Sequence, residues 1–235
     1  MFDSLFEKLQ LSIKLRGGEP LLIPNGLEKC ISIKGDGMIR SWLWQVPGFR
    51  RWRITRLEVG TKLQVLNSVA YPDSSNDQPL MGIDLLWFGS QNKLVAVLDF
   101  QPLIQDQDYL DKHFKDLKSL SQKFPEFNNN QLMYSFDPTK YFSPWVLFCR
   151  GGLAELQGSL PKVYQHFLDS YWKLTESNSE TPSKISSDQV IKLQSEYNIY
   201  SSQKDPAHGL FIRYFGKEWT ERYLNEFLFP KVFEN

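Results

Sequence analysis

The sequence predicts a three-layer α/β/α sandwich, with a central antiparallel sheet of about six or seven strands between two layers of helices. Apolar segments of strand length follow one another through the first hundred residues, and the turns between them are too short for parallel crossovers. Segments with helical spacing dominate the second half. In Lys93–Gln101, Leu94 and Ala96 alternate with Val95 and Val97, so the sheet is apolar on both faces and needs a cover on each.

The first half of the chain begins with a helix and continues as strands. Apolar residues recur every three or four positions over Phe2–Leu15, and Arg16–Pro20 ends this helix. The turns that follow contain Gly, Pro, Asn and Ser, as hairpin connections do. They separate six predicted strands: Lys29–Lys34, Ile39–Val46, Phe49–Val59, Leu63–Tyr71, Leu80–Phe88 and Lys93–Gln101.

The second half is mostly helical. Asp106–Phe124 has helical spacing, Asn128–Asn130 is a predicted loop, and Ser143–Arg150 is a further strand that ends at two glycines. A Ser/Thr/Pro-rich connector over Ser177–Ser187 separates two of the later helices. The Asp205–Pro206 pair ends the helix that begins at Ser187. The predicted helices of this part are Pro161–Glu176, one that begins at Ser187, His208–Phe215 and Glu218–Leu228. We expect residues 1–235 to form a single domain.

Composition excludes several classes of function. The 27 basic and 27 acidic side chains give a net charge of zero, which argues against general nucleic-acid binding. Two cysteines, Cys30 and Cys149, and three isolated histidines argue against disulfide scaffolds and metal centres. There is no GxGxxG motif after a strand, no phosphate-binding GxxxxGK[ST] and no GxSxG. No apolar run reaches the length that spans a bilayer, and we expect a soluble, cytoplasmic protein with no membrane partner.

Leu63–Tyr71 and Leu80–Phe88 carry the first candidate site. A hairpin centred on the polar loop between them places Asn67 opposite Asp84, with both side chains on one face. The carboxyl group has apolar neighbours, and burial raises a carboxyl pKa towards neutrality, as proton transfer requires. The pattern alone favours a structural carboxylate that caps a neighbouring strand end or satisfies a buried amide.

Basic and acidic side chains elsewhere give further candidates. In the run that starts at Phe49, Arg51 and Arg53 share one strand face with Thr55, and such guanidinium groups suit an anionic ligand. A solvated edge strand explains the run equally well. Asp99 ends an apolar strand and is expected to cap a loop or pair with an arginine.

Asp205 precedes a proline, which disfavours helical geometry at this residue, and its simplest role is to cap the next helix. If the C-terminal helices cover the sheet, however, the Lys204–Gly209 loop brings Asp205 and His208 to the mouth of a cavity.

Several segments resemble one known family. The chain is similar over nearly its whole length to the ferredoxin-dependent bilin reductases in the segments NSVAYP (67–72), PLMGID (79–84), VLDFQP (97–102), DPAHG (205–209) and FLFP (227–230). The resemblance implies an antiparallel sheet between helical layers, with the bilin between the sheet and the C-terminal helices. Ser41–Arg53 and Leu85–Phe88 most resemble members that reduce biliverdin IXα by two electrons at the C15=C16 methine bridge, for phycoerythrobilin biosynthesis.

The resemblance also implies roles for particular residues. Asp84 matches the family's proton-donating aspartate, and Asn67 matches a position that is histidine in the phycocyanobilin-forming relative. Thr55 stands where that relative has a glutamate, which fits a single two-electron step. Asp205 matches a second aspartate, linked in relatives to A-ring reduction. Asp84, Asn67 and Asp205 are therefore the expected catalytic residues, and Arg51, Arg53, Thr55 and His208 the expected substrate-binding residues.

The implied partners follow from the same resemblance. Electrons come singly from reduced ferredoxin through bilin radicals, and no bound flavin, metal or nicotinamide is expected. A downstream bilin reductase that accepts the product, 15,16-dihydrobiliverdin, is a further candidate partner, and a monomer needs the fewest assumptions. Two alternatives stay open: a bilin reductase of other regiospecificity, and a non-catalytic bilin carrier or chaperone.

Overall fold

The computed structural model describes residues 1–129, 138–177, 183 and 185–231. Parts of the predicted 128–130 loop and of the predicted 177–187 connector lie outside these residues. Within the described ranges the strands form one antiparallel sheet of eight. They are β1 (Glu19–Leu21), β2 (Lys29–Ile31), β3 (Met38–Val46), β4 (Phe49–Val59), β5 (Leu63–Pro72), β6 (Leu80–Phe88), β7 (Lys93–Gln101) and β8 (Leu147–Gly151).

Strands β3–β7 form a meander of consecutive hairpins, whereas β8 joins β7 only after a long helical stretch of the chain. The order of the sheet is β1-β3-β4-β5-β6-β7-β8, and β2 pairs with β3 further along the same strand. β4 therefore lies inside the sheet between β3 and β5, so its arginines do not sit on a solvated edge strand. The register pairs Thr55 with Asn67 and Asn67 with Asp84, and Asp84 in turn with Val97. These four residues form a row on one face of the sheet.

Helices cover both faces of this sheet. They are α1 (Asp3–Lys14), α2 (Gln107–His113), α3 (Lys115–Lys123), α4 (Pro138–Tyr141), α5 (Leu153–Gln157), α6 (Leu160–Glu176), α7 (Ser187–Lys204), α8 (His208–Phe215) and α9 (Lys217–Arg222), followed by a π-helical segment at Tyr223–Leu228. Within the described ranges, each helix is too short or too polar to cross a bilayer.

The two faces have separate cores. On the first face, buried residues of β4–β7 such as Trp52 and Phe100 pack against α1, α2, α3 and α6. Trp52 stacks on Trp172 of α6 with ring centroids 4.8 Å apart. On the second face, Leu57 and Val59 join a smaller core with α8 and the π-helical segment. This second core occupies only one end of its face, and the rest of that face borders a cavity. The predicted α/β/α layering is confirmed.

The structure departs from the predicted elements in several places. β1 was not predicted, because it is an exposed three-residue edge strand that contains Pro20. The predicted Asp106–Phe124 helix breaks at Phe114, whose backbone leaves helical geometry and whose ring is buried. The strand predicted from Ser143 begins only at Leu147, since Ser143 turns back to bond Asp99. The short helix α5 was missed.

Candidate active site

A cavity of about 400 Å³ lies between the second face of the sheet and the C-terminal helices. This volume is within the range of small-molecule sites. The sheet wall carries alternate residues of β4–β7, as the period of a strand requires. The opposite wall comes from the end of α7, the turn after it, α8 and the last described residues. Polar members of the lining are Arg53, Thr55, Asn67, Asp84, Asp99, Gln101, Ser201, Lys204 and Asp205.

Asn67 and Asp84 form the centre of the sheet wall. They are directly opposed across β5 and β6, as the hairpin predicted. The Asn67 amide Nδ2 donates to Asp84 Oδ1 over 3.0 Å. Burial raises the pKa of Asp84 from 3.8 to about 6. The Asn67 hydrogen bond opposes this shift, and the nearby charge of Asp205 adds to it. Asp84 can therefore hold a proton close to neutral pH.

Arg53 lies beside this pair, and Arg51 does not. The Arg53 guanidinium is buried, donates to Asn67 Oδ1 over 2.6 Å, and donates through Nε to the carbonyl of Leu228. Arg51 points to the same side of the sheet but donates to the carbonyls of Phe227 and Leu228. It is not among the described residues that line the cavity. Its substrate-binding role stays a prediction, and its contacts anchor the π-helical segment.

Thr55 lines the cavity, but its hydroxyl already has a partner. Its Oγ1 lies 2.7 Å from the hydroxyl of Tyr223, which also lies 2.9 Å from Ser41 Oγ. All three hydroxyl groups are buried. The Tyr223 ring thus spans from the sheet to the π-helical segment, and Thr55 contributes to the wall mainly through this link.

Asp205 follows the last residue of α7 and His208 begins α8, and their side chains do not converge on the same point. Asp205 lines the cavity, and its Oδ1 accepts the backbone N–H of Ala207 over 2.8 Å. Burial raises the pKa of Asp205 above its usual range. His208 Nε2 lies 2.9 Å from Glu221 Oε1 on the outer side, and both side chains are more than two-fifths exposed. The structure therefore brings Asp205, but not His208, to the cavity with Asp84.

Asp99 forms the far end of the sheet wall. Its carboxyl group accepts the backbone N–H of Ser143 over 2.8 Å and lies 2.6 Å from the Ser143 hydroxyl. It therefore caps a loop, although this loop precedes β8 rather than following β7. The side chain has no accessible surface, and burial raises its pKa to about 8.

Sequence reasoning missed the aromatic wall of the cavity. Tyr197, Tyr200, Ser201 and Lys204 line it from α7. Their spacing of three, four and seven residues marks one helix face, which was overlooked because that face is too polar to read as an apolar stripe. Tyr141, Phe142 and Phe229 complete the wall, and Tyr141 contacts Tyr197 and Tyr200 with ring centroids 5.4 and 4.7 Å away.

The site is suited to a large, flat, conjugated ligand that accepts a proton. Aromatic rings face a sheet wall of Leu57, Val65, Val69, Leu86 and Val97. A carboxyl group whose pKa burial raises to about 6 lies on that wall, and the exposed Lys204 stands at the mouth. Among the described residues, histidine, cysteine and carboxylate side chains form no group of three that could hold a metal ion.

Comparisons with known proteins place the chain in a family. The profile of the family described as ferredoxin-dependent bilin reductase matches residues 6–230. A 15,16-dihydrobiliverdin:ferredoxin oxidoreductase of Synechococcus sp. (strain WH7803) is 58% identical over 236 residues, with 98% of each chain covered. A protein of the same name from Parasynechococcus marenigrum (strain WH8102) is 60% identical over 230 residues, again with 98% of each covered.

The fold has a solved counterpart as well. The crystal structure of phytochromobilin synthase from tomato in complex with biliverdin matches with a TM-score of 0.77 at 20% sequence identity, covering 95% of this chain and 82% of that one. At this identity the likeness shows the fold alone. The family match and the cyanobacterial relatives together show that the chain belongs to the ferredoxin-dependent bilin reductases.

Proposed function

We propose that the protein reduces biliverdin IXα at its C15=C16 bridge to 15,16-dihydrobiliverdin, with reduced ferredoxin as the electron donor. The observation that carries this proposal is the Asn67–Asp84 pair on the wall of the cavity, in a chain that shares 54–60% identity with relatives of that name. The reaction is a step towards phycoerythrobilin.

The chemistry of the cavity lining suits the proposed substrate. Biliverdin is a conjugated tetrapyrrole whose rings favour contact with apolar and aromatic side chains, which supply most of this lining. Its two propionates need cations. Lys204 is exposed at the mouth and makes no hydrogen bond or ion pair with the side chains that the structure describes. We assign it as the first candidate partner for a propionate.

Asp84 supplies a proton to the reduced bilin. The overall reaction adds two electrons and two protons across the C15=C16 bond. Each electron makes the conjugated system more basic, so an acid within hydrogen-bond reach completes the addition. Bound bilin displaces water from the cavity and strengthens the desolvation that already raises the Asp84 pKa. Asp84 is thus protonated when the radical forms and gives the first proton, and solvent supplies the second proton and restores Asp84 afterwards.

Asp205 lies within the same cavity and acts on the other side of the ligand. Its nearby charge raises the Asp84 pKa, so the two carboxyl groups resist being ionised together. We propose that Asp205 binds or orients the bilin, since a single two-electron reduction at C15 needs no A-ring donor. Electrons come one at a time from ferredoxin, through bilin radicals. A monomeric state and transfer of product to a downstream reductase stay predictions.

The test is an anaerobic mixture of the purified protein, biliverdin IXα and a reduced-ferredoxin system, followed by visible spectroscopy and product chromatography. Conversion to 15,16-dihydrobiliverdin alone supports the proposal, and a reaction without ferredoxin is the control. A bilin that binds but stays oxidised would instead identify a carrier or chaperone. An A-ring-reduced product would keep the family and overturn the regiospecificity.

The pH dependence of turnover follows from Asp84. A proton donor works in its protonated form, so kcat is expected to be flat below the pKa of Asp84 in the complex and to fall about tenfold per pH unit above it. Because the bound bilin excludes water, the bend should lie at or above the free-protein value of about 6. Single-turnover rates from pH 5.5 to 9 measure this. A rate that is constant over the whole range would contradict the role of Asp84.

A further inference from the structure

Arg53 is a buried cation with three partners that belong to distant parts of the chain. Its side chain lies inside the sheet wall and is almost fully buried. Nη1 donates to Asn67 Oδ1 over 2.6 Å, and Nε donates to the Leu228 carbonyl over 3.0 Å. The guanidinium also stands 5.3 Å from the centre of the Phe229 ring. It therefore has a fixed position against both β5 and residues 227–229, which we call the C-terminal segment.

This contact fixes which way the Asn67 amide points. A guanidinium only donates hydrogen bonds, so it can face only the carbonyl oxygen of an amide. Asn67 Oδ1 must then lie towards Arg53, and Nδ2 must lie towards Asp84, where it donates over 3.0 Å to Oδ1. The amide orientation follows from donor and acceptor chemistry and needs no observation of hydrogen atoms.

The orientation of Asn67 in turn selects the oxygen of Asp84 that carries the proton. A carboxylic acid has one oxygen that accepts and one that donates. Because Oδ1 accepts from Asn67, the acidic hydrogen belongs on Oδ2. We propose that Arg53 is a positioning residue that locks the Asn67 amide as a donor and thereby keeps the Asp84 proton on Oδ2, available to the bilin. This inference rests on the proposed role of Asp84 as proton donor.

Without the hydrogen bond from Arg53, Asn67 could hold the Asp84 proton away from the bilin. A freely rotating Asn67 can turn its carbonyl towards Asp84 and accept the acidic hydrogen, which stabilises the protonated acid while hiding its proton from the ligand. Loss of the lock should therefore make Asp84 harder to ionise and slower to donate. The other charged or titratable groups among the described lining residues keep their positions in this comparison; they are Asp99, Lys204, Asp205, Tyr141, Tyr197 and Tyr200.

Arg53→Lys separates the lock from the charge. Lysine keeps the positive charge near Asp84, but it cannot reach Asn67 and Leu228 with one planar fork. We expect kcat to fall at least about tenfold and the Asp84 pKa to rise by about one unit. The carboxyl titration is followed by ¹³C NMR of the full-length, aspartate-labelled protein, with Asp84→Asn to assign the signal. Unchanged values of both quantities in Arg53→Lys would overturn the proposal.

Arg51→Lys is the matched control. Arg51 is also buried and shares the Leu228 carbonyl with Arg53; it donates to the Phe227 carbonyl as well, but has no hydrogen bond to Asn67. Both lysine variants should loosen the C-terminal segment, whereas only Arg53→Lys should move the Asp84 titration. If Arg51→Lys moves it equally, Arg53 acts through the segment and not through Asn67.

A double-mutant cycle tests the route through the amide. In the background of Asn67→Leu there is no amide to lock, so Arg53→Lys should have no further effect on the Asp84 pKa. An undiminished effect in that background would overturn the proposal.

The wild-type protein gives an independent measurement if Arg53→Lys does not fold. The ¹H–¹⁵N signals of the Asn67 side-chain amide, assigned with Asn67→Leu, should shift with the Asp84 titration near pH 6, since Nδ2 bonds Asp84 directly. Signals that ignore this titration would contradict the lock. These spectra need no turnover, so they stay decisive even if the protein fails to make 15,16-dihydrobiliverdin.

Discussion

Asp84→Asn is expected to bind biliverdin and to reduce it at least about 100-fold more slowly than the wild type, because general acid catalysis contributes factors of this size or larger. Asparagine has nearly the same shape, so the cavity and its apolar walls persist. It has no acidic hydrogen to give to the bilin radical. The measurements are a spectroscopic binding titration and anaerobic single-turnover rates with reduced ferredoxin.

The control for Asp84→Asn is the same chemical change outside the cavity. Asp116 of α3 pairs with Lys173 at the surface over 2.8 Å, and Asp116→Asn should turn over at the wild-type rate. Accumulation of a bilin radical in Asp84→Asn would place the block at proton transfer, after the first electron. Wild-type turnover by Asp84→Asn would refute the assigned role of Asp84, whatever the other variants show.

The local pattern was enough to predict the Asn67–Asp84 pair. Two strands joined by one polar loop have their register set by that loop, and an alternation of period two then fixes which residues share a face. The same rule predicted that Arg51, Arg53 and Thr55 point to one side of β4. These predictions succeeded because every distance involved is a hairpin or a single strand.

Long-range partners could not be read from the same pattern. Arg51 bonds only backbone carbonyls, those of Phe227 and Leu228, whereas Arg53 bonds the Leu228 carbonyl and Asn67. These carbonyls lie about 175 residues away along the chain, so the strand pattern could not predict the difference. Tyr223 reaches Thr55 in the same way. His208 was expected beside Asp205, but one turn of α8 directs it to Glu221. Where a side chain finds its partner after the helices pack, strand alternation and helix caps carry no information about that partner.

The second large expected effect comes from the titration of Asp99 and concerns the free energy of unfolding rather than turnover. Burial raises its pKa from 3.8 to about 8, against the opposing hydrogen bonds from Ser143 and from the backbone of Phe100. The native state therefore keeps a proton on Asp99 that the unfolded chain has already released above about pH 4. Stability from this group is fully present below pH 3.8 and is lost as pH rises towards 8, at up to about 1.4 kcal/mol per pH unit.

Other groups decide the window in which this loss is visible. Burial lowers the pKa of His113 to about 4, so the unfolded state binds more protons there and stability from His113 rises with pH up to its usual value of 6.5. The raised pKa of Asp84 also makes the free energy of unfolding fall as pH rises, but this loss is largely complete near pH 6. Between pH 6.5 and 8, Asp99 is therefore expected to dominate, and urea unfolding should show a declining free energy of unfolding.

Asp99→Asn should remove most of this decline. An asparagine can mimic the neutral acid, because its oxygen accepts the Ser143 N–H and its amide donates to the Ser143 hydroxyl, which also accepts the Trp145 N–H over 3.1 Å. We expect the variant to gain about 1–2 kcal/mol on the wild type between pH 6.5 and 8. Parallel stability curves would mean that Asp99 is ionised in the native state. The donors of Ser143 would then outweigh burial, and the far wall of the cavity would carry a negative charge beside the bilin.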